Sequence, residues 1–151
     1  MRKAQIIFLL ILIVSLGFLR EFLFIEINLR YYQVLYEPDM TIRSEFIAIL
    51  DPLSAIQIYW FKWVLTGLMA TMFYAIGAKT LSVITSQPQW KLFGLVYLVL
   101  LGTALLSYGV IWIIFSPLQG YTIARFLLGL AQSPFPLLFM IPALKLKSQT
   151  T

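Results

Sequence analysis

All six carboxylates of this 151-residue chain fall within one stretch: Glu21, Glu26, Glu37, Asp39, Glu45 and Asp51. Clustered carboxylates can hold a divalent cation or share general acid and base work. A calcium loop needs oxygen ligands at alternate positions and a glycine at its sharp turn, and this stretch has no glycine. The charges read instead as a solvated segment in which neighbours such as Arg20-Glu21 and Arg43-Glu45 offset each other. The chain has neither histidine nor cysteine, which removes the commonest general base, the thiolate nucleophile and the best transition-metal ligands. The expectation is a protein that is not an enzyme and that holds no metal and no cofactor.

Other polar residues stand inside apolar surroundings. Arg125 lies a few residues into the last apolar segment, where a charge is costly unless it reaches the interface or finds a partner. Three readings stand side by side: it snorkels, it pairs with an acid of the carboxylate-bearing segment, or it meets a partner or an anionic substrate group. Further on, Gln132, Ser133 and Pro134 precede Phe135, Pro136 and, later, Pro142. Each proline lacks an N–H and crowds a carbonyl one turn earlier, so a kink is expected, with Gln132 and Ser133 available to the freed groups. A kink of this kind serves either packing or a ligand site at mid-depth. Lys62 sits among Tyr59, Trp60 and Trp63 and can lift its ammonium to a headgroup region. Gly67, Thr71 and Ala75 form a stripe of small residues at spacing four, which lets helices approach closely and could face either a sister helix or another protein.

The elements that carry these residues are set by composition. The chain is 61% hydrophobic and 11% charged, against about 25% charged in a soluble domain. Four apolar segments, at about 4–24, 58–81, 92–115 and 121–144, are each long enough as helices to cross a bilayer. The expectation is an all-α membrane protein, a four-helix transmembrane bundle in one membrane domain. The first segment has the basic start of a signal peptide at Arg2-Lys3, but no small-x-small cleavage site follows it, so it reads as a retained anchor. With the N-terminus inside, Arg2, Lys3, Lys79, Lys91, Lys145 and Lys147 fall on the cytoplasmic side with no acid among them. The outer side receives Arg20, Arg30, Arg43, Lys62 and Arg125 together with all six acids. Positive charge stays inside, so both termini are expected in the cytoplasm. The scattered basic residues are topology signals rather than a phosphate-binding stripe, which argues against nucleic acid.

The one sizeable non-spanning region is an outer loop at about 25–57, read as partly structured. Ile25, Ile27, Leu29 and Tyr31 alternate with polar residues, as in a strand. A continued helix with Leu23, Ile27 and Val34 on one face is the other reading. A turn is expected at Glu37-Pro38-Asp39, then a short surface helix from Thr41 to Leu50. The uncharged Gln119-Gly120 reads as a short outer turn.

Taken in order, Arg20-Glu21-Phe22-Leu23-Phe24, Tyr59-Trp60-Phe61-Lys62-Trp63, Ala124-Arg125-Phe126-Leu127-Leu128, Gln132-Ser133-Pro134 and Ile141-Pro142-Ala143-Leu144 carry a likeness. The chain resembles the small exosortase-associated membrane proteins of bacteria in length, in four-helix organisation and in its ending. Those proteins accompany a multi-spanning exosortase, which resembles a cysteine transpeptidase and processes sorting signals on exported proteins. The resemblance implies an accessory subunit in a bacterial inner membrane, in contact with the lipid bilayer and with an exosortase-like partner. It transfers no catalytic residue. Arg20, Glu21, Lys62, Arg125, Gln132, Ser133 and Pro134 are the candidates for partner or structural contacts. A subunit of an unrelated respiratory or secretion complex, and a self-assembling homo-oligomeric transporter or channel, are the competing expectations.

Overall fold

A computed structural model describes residues 2–36, 50–114 and 117–149, with side chains for all of these except 112, 117–121 and 145–149. The described residues form five helices and no strand: α1 (Arg2–Tyr36), α2 (Ala55–Thr85), α3 (Trp90–Ile114), α4 (Pro117–Ala131) and α5 (Phe135–Gln149). Helices α1, α2 and α3 are long and apolar enough to cross a membrane. The pair Thr122–Ala131 and Phe135–Leu144 passes the same test only together, bent by 60°. The chain is therefore an all-helical protein with three membrane-spanning candidates, or four if the bent pair is one span.

Two compact units divide the chain: Phe18–Met69, and Met1–Gly17 together with Ala70–Thr151. In the first, α1 continues past the apolar segment through residues 25–36. The strand alternation is not realised. Ile27 is fully buried, whereas Ile25 and Leu29 are exposed, as a period of 3.6 rather than 2 would place them. The region read as an outer loop from residue 25 therefore begins as helix. Helix α2 also starts earlier than residue 58, because Ser54 caps it. The Ser54 carbonyl accepts from the Ile58 N–H at 3.0 Å, and the Gln57 side chain reaches back to accept from the Ser54 N–H at 2.9 Å. This is one half of a capping box. Leu50, Ile58, Leu65 and Met69 are buried in this unit. The turn expected at residues 37–39 and most of the short helix expected at 41–50 lie outside the described residues.

The second unit is built on two kinds of contact. Tyr74 of α2 meets Trp90, Phe93 and Tyr97 of α3 at ring-centroid distances of 5.9, 6.1 and 5.5 Å. Its hydroxyl donates to the Trp90 carbonyl at 3.1 Å. Such aromatic pairs add about 0.5–1.5 kcal/mol each beyond the area they bury. Helices α3 and α4 run along each other; among the described side chains α4 buries two alanines, Ala124 and Ala131, while α3 buries Ala104 as well as Phe93 and Tyr97. Small side chains bring backbones close where no hydrophobic effect drives helices together. Gly67 and Thr71 are exposed, and the close approach of α2 is at Gly77, against Phe93.

Helix α2 ends where Ser86 adopts φ 59°, the left-handed conformation that commonly closes a helix. Helix α4 begins at Pro117, a residue suited to a first turn. Gln119 and Gly120 consequently lie within α4, not in a turn.

Candidate functional site

The residues singled out by sequence fall into separate clusters, one in each unit. In the unit of Phe18–Met69, Asn28 and Tyr31 stand three residues apart and so share a face of α1. Lys62 of α2 reaches both. Its Nζ donates to Asn28 Oδ1 at 3.0 Å and lies 5.8 Å from the centroid of the Tyr31 ring, within cation–π range. One helical turn on, the Thr66 hydroxyl donates to the Lys62 carbonyl at 2.8 Å. Lys62 thus bridges two helices through a neutral amide and a ring, with its stem along apolar surface.

Arg20 and Glu21 form an ion pair at 2.8 Å, and the Arg20 guanidinium lies 5.2 Å from the Phe24 ring centroid. The Glu21 side chain is largely exposed, so this pair orients Arg20 more than it stabilises the fold. A contact that sequence reasoning missed, between Arg30 and Asp51, completes the cluster. Arg30 donates from an Nη to the Asp51 backbone carbonyl at 3.1 Å and stands 3.6 Å from the Asp51 carboxylate. The second distance is too long for a hydrogen bond, and Arg30 Nε and Asp51 Oδ1 are buried without one. The carbonyl contact is the firmer of the two, and it ties α1 to the turn before α2. Asp51-Pro52 marks that turn in the sequence; its partner on α1 leaves no local signal.

In the other unit, the break between α4 and α5 is built around Ser133. Its hydroxyl donates to the Leu130 carbonyl at 2.7 Å and accepts from the Phe135 N–H at 3.2 Å. One side chain thereby serves the end of one helix and the start of the next. The Pro134 carbonyl accepts the first bond of α5, from Leu138 N–H at 3.0 Å. Pro136 then falls in the first turn, where a missing N–H costs nothing. Gln132 is buried beside the break. A Cβ placed on Gly17 of α1 would lie 3.9 Å from Pro134 Cδ, so α1 packs directly against the break. The side chain of Arg125, two turns earlier on α4, is exposed.

Chemically, these clusters hold helices and present charge. Among the described residues, no three histidine, cysteine or carboxylate side chains gather as a metal ion would need. Comparison with protein-family models, with curated proteins and with solved structures returned no match.

Proposed function

We propose that this chain is a non-enzymatic integral membrane subunit that docks on a larger membrane protein of the bacterial inner membrane. The exosortase-type sorting enzyme is the partner that the sequence resemblance implies. The observation that carries the docking role is the setting of Arg125. It stands exposed on an apolar helix, in a unit whose sequence contains no carboxylate at all. A guanidinium in such surroundings suits an acid on a partner helix, and this reading competes with snorkelling to the headgroups and with pairing to the chain's own carboxylate-bearing segment. The four-crossing, N-in and C-in arrangement is part of the same reading. It leaves the carboxylate-bearing segment on the outer side, where exported substrates arrive.

Purification of tagged protein from its native membrane in mild detergent, followed by mass spectrometry, tests this. The expected result is a multi-spanning exosortase-like protein in near-equal amount. Removing one partner of a desolvated charge pair costs about 2–5 kcal/mol. Arg125→Ala is therefore expected to reduce co-purification more than tenfold while expression holds. Recovery of the chain alone, or with an unrelated respiratory or secretion complex, would remove the sorting role. Equal loss of expression and of partner would make Arg125 a folding residue.

A further inference from the structure

The strongest unassigned feature is a cleft of about 630 Å³ where α2 ends and α3 begins. Its wall includes Arg2, Lys79, Ser86 and Trp90. It is wide open rather than enclosed, so it suits a group held at the surface and not a ligand engulfed in a pocket. Arg2 is held in place rather than left to wander. Its Nε donates to the Val83 carbonyl at 2.8 Å, and an Nη donates to the Ile84 carbonyl. These carbonyls belong to the last turn of α2 and have no partner within the helix. The guanidinium satisfies them and offsets the negative end of the helix dipole. Its other Nη group is not used by those bonds.

Lys79 is exposed and forms no hydrogen bond or ion pair among the described residues. The first bond of α3 runs from Phe93 N–H to the Gln89 carbonyl at 2.9 Å. The N–H groups of residues 90–92 therefore have no carbonyl within the helix, and they bring the positive end of a helix dipole to the same rim. The whole unit has seven basic residues, Arg2, Lys3, Lys79, Lys91, Arg125, Lys145 and Lys147, and no acid. No carboxylate side chain in it competes with an incoming anion, and Arg2 offsets the carbonyl end of α2.

We propose that this cleft binds the phosphate of an anionic lipid headgroup. The phosphate would sit between Lys79 and the free edge of the Arg2 guanidinium. A lipid is favoured over a free phosphate because α1, α2 and α3 are membrane-spanning candidates. The cleft lies at the ends of two of them, with Trp90 at its edge, and tryptophan prefers headgroup depth. The acyl chains would then run along exposed apolar helix surface.

The test titrates the purified full chain in a neutral detergent, by native mass spectrometry, with three probes. These are dioctanoyl phosphatidylglycerol, dioctanoyl phosphatidylcholine and inorganic phosphate. Each basic residue near an anionic surface contributes enough for about a fivefold change in affinity. The expected result is phosphatidylglycerol bound about tenfold or more tighter than phosphatidylcholine. Lys79→Gln should lose about fivefold of that, and Lys91→Gln, which changes the same charge outside the cleft wall, should lose little. Equal binding of the two lipids would overturn the proposal. So would inorganic phosphate binding as well as phosphatidylglycerol, which would make the cleft a soluble-anion site. Equal losses in the two lysine variants would overturn it as well, because the attraction would then be diffuse charge and not a site.

Discussion

A Cβ placed on Gly77 would lie 2.5 Å from Cε1 and 2.6 Å from Cζ of Phe93. Those atoms are the far edge of a ring, which in an open setting could swing aside. Here the ring is almost fully buried and touches Tyr74 and Tyr97, so it has nowhere to go. Two effects of Gly77→Ala then oppose each other. Replacing glycine inside a helix gains about 1 kcal/mol of helix propensity, while forcing a methyl into a packed contact costs about 1–3 kcal/mol. The expected net outcome is destabilisation by up to about 2 kcal/mol. Gly67 is the internal control, because nothing lies within 4 Å of a Cβ there and the propensity gain is unopposed. Thermal unfolding in detergent should therefore show opposite signs for Gly77→Ala and Gly67→Ala. A gain in both would mean that Phe93 does not fill the space at Gly77. The sequence shows both glycines on one helix but not which of them faces α3. The regular spacing of Gly67, Thr71 and Ala75 marks a face without identifying its neighbour, and Gly77, where α2 comes close to α3, lies off that stripe.

At the scale of helices, one hydroxyl joins α4 to α5. Ser133→Ala removes the acceptor for the Phe135 N–H and one of two donors to the Leu130 carbonyl, which keeps its bond from the Ser133 N–H at 3.2 Å. Two hydrogen bonds are thus lost, of which only the one from the Phe135 N–H leaves a group without its partner, and a cost of about 1–2 kcal/mol is expected. Ser133→Thr keeps the hydroxyl and should recover most of it in the same unfolding measurement. A threonine variant as weak as the alanine variant would assign the loss to packing instead. The prolines made this region legible, because a missing N–H is a property of the residue alone. Sequence placed a kink here, and the structure has a full break with two separate helices. The extension of α1 was less legible. In residues 25–31 apolar and polar types alternate, and a helix that is apolar on most sides gives no contrasting period to set against that alternation. The start of α2 could have been read from Ser54-x-x-Gln57, a local capping signal overshadowed by the apolar run that follows. The contact between Arg2 and the end of α2 joins residues 81 and 82 positions apart, and no local pattern encodes it.

At the scale of the molecule, the number of crossings turns on the bent pair. Each arm, Thr122–Ala131 and Phe135–Leu144, is about 15 Å long at 1.5 Å per residue. Two such arms meeting at 60° advance about 26 Å together, before the three-residue break is added. The hydrocarbon core is about 30 Å thick, so the pair is long enough to cross as a single broken span. A bend of 60° fits either a broken span or a re-entrant loop, according to how the arms lie relative to the membrane. The chain contains no cysteine, which suits it to single-cysteine labelling in intact cells with a membrane-impermeant maleimide. With four crossings and both termini inside, Tyr36→Cys and Gln119→Cys should label from outside. Gln87→Cys and Gln149→Cys should label only after the membrane is permeabilised. Tyr36 and Gln87 are exposed, so failure to label there reflects sidedness rather than burial. Labelling of Gln149→Cys from outside, with Gln87→Cys still protected, would turn the bent pair into a re-entrant loop and leave three crossings. Outside labelling at Gln87 with protection at Tyr36 would invert the orientation. The anionic-lipid cleft would then face the outer leaflet, and the carboxylate-bearing segment would lie inside, away from any exported substrate.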